Sequence, residues 1–167
     1  MNKKEKIYTC LTAAWMVLIF CMSATPGEES SDMSLSVGWF LYRIFVPGFQ
    51  SWTASRQLMF AENVDFFVRK CAHAAEYAVL AVFVRTVLRS RKEPSDEKKA
   101  ALSGLAFAFL YACTDEFHQL FVEGRSGRFS DVMIDTGGAA AGLLLTALVR
   151  RCGKKRRNRR NDRPSER

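Results

Sequence analysis

Two apolar stretches long enough to cross a bilayer are interrupted in this chain by His73, Glu76, Asp115, Glu116, His118 and Gln119, and a third begins beside Asp131 and Asp135. An ionisable group in hydrocarbon costs about 3 kcal/mol on insertion scales, so a sequence keeps one there only when it is paired, hydrated or used. Any fold for this chain must gather these groups inside a helix assembly or along a water-filled cavity. That requirement says more than the overall composition, whose 49% hydrophobic and 25% charged residues resemble an ordinary soluble domain.

The apolar residues are not spread evenly. They form four runs, 7–23, 66–88, 100–122 and 131–149, each near the roughly 20 residues a helix needs to span about 30 Å. The expected fold is all-α: a polytopic membrane protein, a four-transmembrane-helix bundle. Residues 1–150 would make the membrane domain and 151–167 a disordered polybasic cytoplasmic tail. Lys3, Lys4 and Lys6 ahead of the first run resemble the start of a secretory signal. That run is longer than a usual signal core, and Leu18-Ile19-Phe20-Cys21 lacks the small residue a lipoprotein cleavage site needs, so the segment reads as an uncleaved anchor.

Between the first two runs lies a long non-spanning segment, residues 24–65, expected on the outside, whose apolar middle is too short to cross. They open on Thr25-Pro26-Gly27-Glu28-Glu29 as a turn. Residues 37–46, carrying Trp39 and Tyr42, are expected to form a short interfacial or re-entrant helix broken at Pro47-Gly48. A second short helix, roughly 52–61, would lead into the second span. Pro94-Ser95-Asp96-Glu97 carries a helix-start signal for the third. Gly138 and Gly142 give the fourth a G-x-x-x-G spacing that lets a neighbouring backbone approach, here read as packing within the chain.

Cytoplasmic flanks of membrane helices retain Lys and Arg. With the N-terminus inside, 19 of the 25 basic residues fall on cytoplasmic segments, and Arg43, Arg56, Arg69, Lys70, Arg125 and Arg128 remain outside. Both termini are then cytoplasmic. The basic tail reads as a topology lock that attracts anionic inner-leaflet lipids, not as a nucleic-acid site, because no aromatic residues are interleaved with its charges. Cys10, Cys21, Cys71, Cys113 and Cys152 show no paired spacing, so neither a disulfide framework nor a zinc ribbon is expected, and small apolar packing is the role assigned to most of them.

With this topology the polar groups lie at one level. Residues three and four apart share a helix face, so Lys70, His73, Glu76 and Tyr77 form one stripe, Asp115 and His118 another with Glu116 and Gln119 beside it, and Asp131 and Asp135 a third. All sit at the outer ends of their helices. The candidate pocket is Lys70, His73, Glu76, Asp115, Glu116, His118, Gln119, Arg125, Asp131 and Asp135, rimmed by Arg69 and Arg128.

The segments Arg69-Lys70-Cys71-Ala72-His73-Ala74-Ala75-Glu76-Tyr77, Thr114-Asp115-Glu116-Phe117-His118-Gln119 with Gly124-Arg125, and Asp131-Val132-Met133-Ile134-Asp135-Thr136-Gly137-Gly138 together resemble the VanZ family of bacterial membrane proteins. The likeness also touches Ile19-Phe20 and Ser23. It departs at Cys21-Met22-Ser23-Ala24-Thr25-Pro26, where the family more often has a Ser-Ser-Gln-like run, and at Glu123, where a Pro is common. The resemblance implies a small multispanning protein of the bacterial plasma membrane, in a family whose founding member is associated with resistance to the glycopeptide teicoplanin.

Two functions from different classes fit these residues. In the first, the outer-face pocket binds cell-wall precursor lipids or a lipophilic glycopeptide, with Arg69, Lys70, Arg125 and Arg128 on phosphate or carboxylate groups. In the second, the chain is a membrane-embedded enzyme acting on a lipid phosphate. There His73, Glu76, Asp115, Glu116 and His118 would hold a divalent metal, as carboxylates and imidazoles on facing helices do, or Glu76 or Glu116 would donate a proton. Transport is disfavoured, because the inner halves of the helices lack matching polar residues and no inverted repeat is visible. Against all of these stands a purely structural network of paired intramembrane groups.

Overall fold

Asn2 begins the chain's first helix with a capping box: its side chain accepts from the Glu5 amide at 2.8 Å, and the Glu5 carboxylate accepts from the Asn2 amide at 3.3 Å. The structure is a computed structural model. It describes residues 1–91, 93 and 96–161, with side chains described as far as Lys154. Among the described residues five α-helices follow one another: α1 (Lys3–Ala24), α2 (Gly27–Phe45), α3 (Ala54–Arg89), α4 (Glu97–Gln119) and α5 (Phe129–Asn161), with a 3-10 turn at Phe49–Ser51 between α2 and α3. Among the described residues there is no strand. Lys92, Pro94 and Ser95 of the α3–α4 connection lie outside the described residues, as do the side chains of the basic tail beyond Lys154. Asp96 accepts from the Lys98 amide at 3.1 Å and caps α4 where the sequence places its start.

Among the described residues three helices, α1, α3 and the Phe129–Lys154 part of α5, are long and apolar enough to cross a bilayer. The expected four-span count is therefore not reproduced. Helix α4 has the length, with 23 residues, but Lys98 and Lys99 at one end and Asp115 and Glu116 at the other dilute its apolar run. Its seat in the bundle is set by a small-residue stripe. Ala100, Gly104, Ala108 and Ala112 recur every four residues and are all buried, and a Cβ on Gly104 would stand 2.7 Å from the Ala81 carbonyl oxygen of α3.

The connection between α1 and α3 also differs from the expected short segment. Helix α2 covers 19 residues and starts ten earlier than the apolar patch that marked it, behind Pro26 and with Glu28 and Glu29 against its positive end. Residues 54–65 hold no Gly or Pro, so the second short helix fuses with the following span into the 36-residue α3, about 54 Å long at ~1.5 Å per residue. Its N-terminal part projects past the bundle and pairs with α2. Tyr42, Phe49 and Ala61 form a second core there, flanked by Trp39, Trp52 and Phe60. Arg69 holds Asp65 at 3.1 Å and donates to the Ser31 hydroxyl at 2.6 Å, while Ser34 donates to Asp65, which ties α2 to α3.

The main core lies where α1, α3, α4 and α5 meet, around Ile19, Tyr77, Leu80, Ala108, Val132 and Ala139. Helix α5 presses on α3 through its glycines: a Cβ on Gly138 would lie 2.1 Å from the Ala74 carbonyl oxygen, and one on Gly142 2.8 Å from the Ala78 Cβ. The G-x-x-x-G pair thus serves packing within the chain. Trp15 of α1 donates to the Glu76 carbonyl at 2.9 Å, and Tyr111 of α4 donates to the Met16 carbonyl at 2.7 Å. The cysteines are free. Four of them, Cys10, Cys21, Cys71 and Cys152, face outward and do not fill the core, contrary to the packing role expected from their apolar surroundings.

One end of the bundle is closed by charge. Arg85, 1% exposed, donates to Glu97 through Nε at 2.9 Å and through a terminal nitrogen, and Arg89 and Arg150 approach the same carboxylate at 3.3 and 3.7 Å. These guanidinium groups, Arg85 above all, hold the Glu97 carboxyl below its ordinary range. Asn2 donates to the Ser90 carbonyl at the same end, so α1, α3, α4 and α5 are all fastened there.

Candidate functional site

The opposite end of the bundle opens into a polar cavity of about 220 Å³. Helix α3 contributes Phe66, Arg69, Lys70 and His73, which recur at intervals of three and four and so share one face. Helix α4 supplies Glu116 and Gln119, the α4–α5 loop supplies Gly124, Arg125, Ser126 and Arg128, and α5 supplies Asp131 and Asp135 one turn apart.

The loop is held in place by backbone geometry. Gly124 has φ +69°, a left-handed conformation suited to glycine. Its carbonyl lies so close to Gly27 that a Cβ there would stand 2.1 Å from the oxygen, and the Gly27 amide donates to the Glu123 carbonyl at 3.0 Å. Arg125 completes the attachment, donating to the Thr25 and Met22 carbonyls at 3.0 and 3.1 Å. These oxygens are at the C-terminal end of α1, where carbonyls lack helical partners and a cation is favoured. Burial lowers the Arg125 guanidinium from its ordinary value, Arg69 adds to this, and the acids of the cavity oppose it. Arginine remains charged at any physiological pH even so.

The acids are placed unequally. Lys70 pairs with Asp131 across the α3–α5 seam. Glu116 accepts from the Arg128 amide at 2.8 Å, and Gln119 reaches Asp115 at 3.3 Å and Glu116 at 3.5 Å. Asp135 is 1% exposed, and its Oδ2 has no hydrogen-bond partner among the described residues.

Of the ten residues singled out from sequence, Lys70, His73, Glu116, Gln119, Arg125, Asp131 and Asp135 line the cavity together. Three do not. Glu76 lies deeper on α3, its carboxylate 3.6 Å from His73 Nδ1. Asp115 is buried behind Gln119. His118 turns away and stacks on Phe20 of α1 with ring centroids 4.8 Å apart. Two residues along a helix is about 200° of rotation, so His118 and Glu116 face opposite sides of α4. His73, Glu76, Asp115, Glu116 and His118, proposed together as metal ligands, are therefore split among different faces. Among the described residues no group of three or more His, Cys, Asp or Glu could hold a metal ion. Sequence reasoning missed Phe66, Gly124 and Ser126 as lining residues. It also missed the Gly27–Gly124 contact that sets the rim, for which Gly27 and Gly124 at two turns were the available sign.

A family model described as VanZ/LLP1 matches residues 8–150. The chain belongs to that family. The matched region contains every residue that lines the cavity and ends where the basic tail begins, so the likeness noted in the three polar motifs extends from α1 through the apolar part of α5. No curated protein and no solved structure matches the chain.

Proposed function

We propose that this VanZ/LLP1 family member spans the bacterial plasma membrane four times with both termini cytoplasmic, and that its outer-face cavity binds the phosphate- or carboxylate-bearing headgroup of a cell-envelope lipid precursor or of a lipophilic glycopeptide. The distribution of charge supports the topology: the Arg85–Glu97 end adjoins the segments rich in Lys and Arg, and the cavity lies at the other end. One observation carries the binding role. Arg69, Lys70, Arg125 and Arg128 from two separated segments rim a single cavity, and guanidinium forks with an ammonium are the groups that hold phosphate or carboxylate oxygens. At about 220 Å³ the cavity suits a headgroup, with the hydrocarbon tail left in the bilayer, since pockets for whole drug-sized molecules run from ~300 Å³ upward.

Arg128 offers the test with least damage to the fold. Its side chain is exposed and takes part in none of the ion pairs described above. Arg128→Ala should weaken binding of a prenyl monophosphate to the nanodisc-reconstituted chain about tenfold, the worth of one charge-assisted hydrogen bond, with the melting temperature unchanged. Equal binding by variant and parent would overturn the reading. A second reading, an enzyme acting on a lipid phosphate, is favoured by His73, which lines the cavity with the Glu76 carboxylate 3.6 Å from its Nδ1. It is distinguished by release of inorganic phosphate from the same lipid.

A further inference from the structure

The charges of the cavity do not balance locally. Arg69 is held by Asp65, Lys70 by Asp131, and Arg125 by the end of α1. Glu116 accepts from the Arg128 amide and faces the Gln119 amide. Asp135 alone among the lining residues combines near-complete burial with a carboxylate oxygen that accepts nothing among the described residues. A buried carboxylate without a donor is costly, and a group so placed at the wall of a cavity is satisfied most directly by what enters the cavity.

We propose that Asp135 forms a second subsite, for a protonated amine, so that the ligand is a zwitterionic headgroup with its phosphate at the arginine rim and its ammonium at the acidic floor. This deepens, and rests on, the headgroup-binding role proposed above. The floor is electronegative: Asp135 feels Glu116, Asp115 and Asp131, with Lys70 the opposing cation. A headgroup that is anionic throughout meets repulsion there, whereas an ammonium offers three donors and a positive charge. A divalent ion is a poorer occupant, because the carboxylates and His73 do not gather at ligating spacing.

The test compares four probes by calorimetric titration of the full chain in detergent: dihexanoyl phosphatidylethanolamine, its N-acetyl derivative, dihexanoyl phosphatidylglycerol and free phosphoethanolamine. The ethanolamine lipid should bind about tenfold tighter than the N-acetyl and glycerol lipids, as one charge-assisted contact provides. Asp135→Asn should abolish the preference, weakening the ethanolamine lipid relative to the glycerol lipid, whose repulsion by the floor the neutral amide relieves. Free phosphoethanolamine that binds as tightly as the lipid supports the subsite and assigns it a soluble source; weaker binding supports a lipid source. Equal affinity of the unaltered protein for the ethanolamine lipid and its N-acetyl derivative overturns the subsite, and that comparison does not depend on whether any variant folds. If phosphatidylglycerol binds, Arg128→Ala weakens it and no amine preference exists, only the subsite fails. If no probe binds in an Arg128-sensitive way, the headgroup-binding role fails with it.

Discussion

Gly138→Leu should leave little folded protein in the membrane, while Gly137→Leu, one residue away, should be tolerated. The Gly138 position faces the Ala74 backbone so closely that even a Cβ would stand 2.1 Å from its carbonyl oxygen, and nothing among the described residues packs within 4 Å of the corresponding position on Gly137. The obstacle is backbone and not a movable side chain, so α3 and α5 must separate. Their seam also carries the Gly142–Ala78 contact and the Lys70–Asp131 pair, which part together. Overpacking a tight core costs about 3 kcal/mol when it cannot relax, a large share of a stability on the order of 5–15 kcal/mol. Thermal unfolding in detergent, monitored by size-exclusion chromatography, measures the difference. Similar profiles for the two variants would mean that α3 and α5 do not meet along this face.

Arg125→Ala should lower stability and headgroup binding together, unlike Arg128→Ala. Arg125 lines the cavity and also holds the α4–α5 loop to the end of α1 through two carbonyls. Hydrogen bonds from a charged donor contribute about 1.5–3 kcal/mol each where water is partly excluded, so loss of the pair should cost about 3 kcal/mol, the lower end reflecting partial exposure. Arg125→Lys should recover less than half, since an ammonium keeps the charge but cannot span both oxygens with a planar fork. Full recovery by lysine in the thermal melt would show that charge alone is needed and that the fork geometry is incidental.

Much of the architecture was legible because bilayer-length apolar runs leave a helix little alternative. What composition hid was where helices join. Nothing in residues 54–65 breaks a helix, yet the polar stretch there read as a boundary, and the Ser-rich start of α2 read as a turn although Pro26, Glu28 and Glu29 mark a helix N-terminus. Helix α4 misses the apolar measure that α1, α3 and α5 meet because its two charged ends share a length that those helices devote to apolar residues.

The cavity was legible to the extent that three- and four-residue spacing defines a face: Lys70 with His73, Glu116 with Gln119, Asp131 with Asp135. Spacing does not say which neighbour a face meets. His118 shares a stripe with Asp115 but looks toward Phe20, and Glu76 lies one turn below the opening. Arg85 counted in sequence as one of the cytoplasmic basic residues; its burial follows from Glu97, which only the packing of α4 on α3 brings within reach.

Headgroup binding requires a water-filled chamber that opens outward between helices, and Cys71 and His73 provide the most direct measurement because they sit two residues apart on α3. Cys71 faces outward from the bundle, toward lipid in the proposed topology, whereas His73 lines the cavity. Two proteins, each retaining one cysteine, at 71 or introduced as His73→Cys, should be exposed in intact cells to a membrane-impermeant methanethiosulfonate. Rapid modification at 73 with none at 71 is the predicted result. Protection of both positions, or modification at 71 alone, would contradict it.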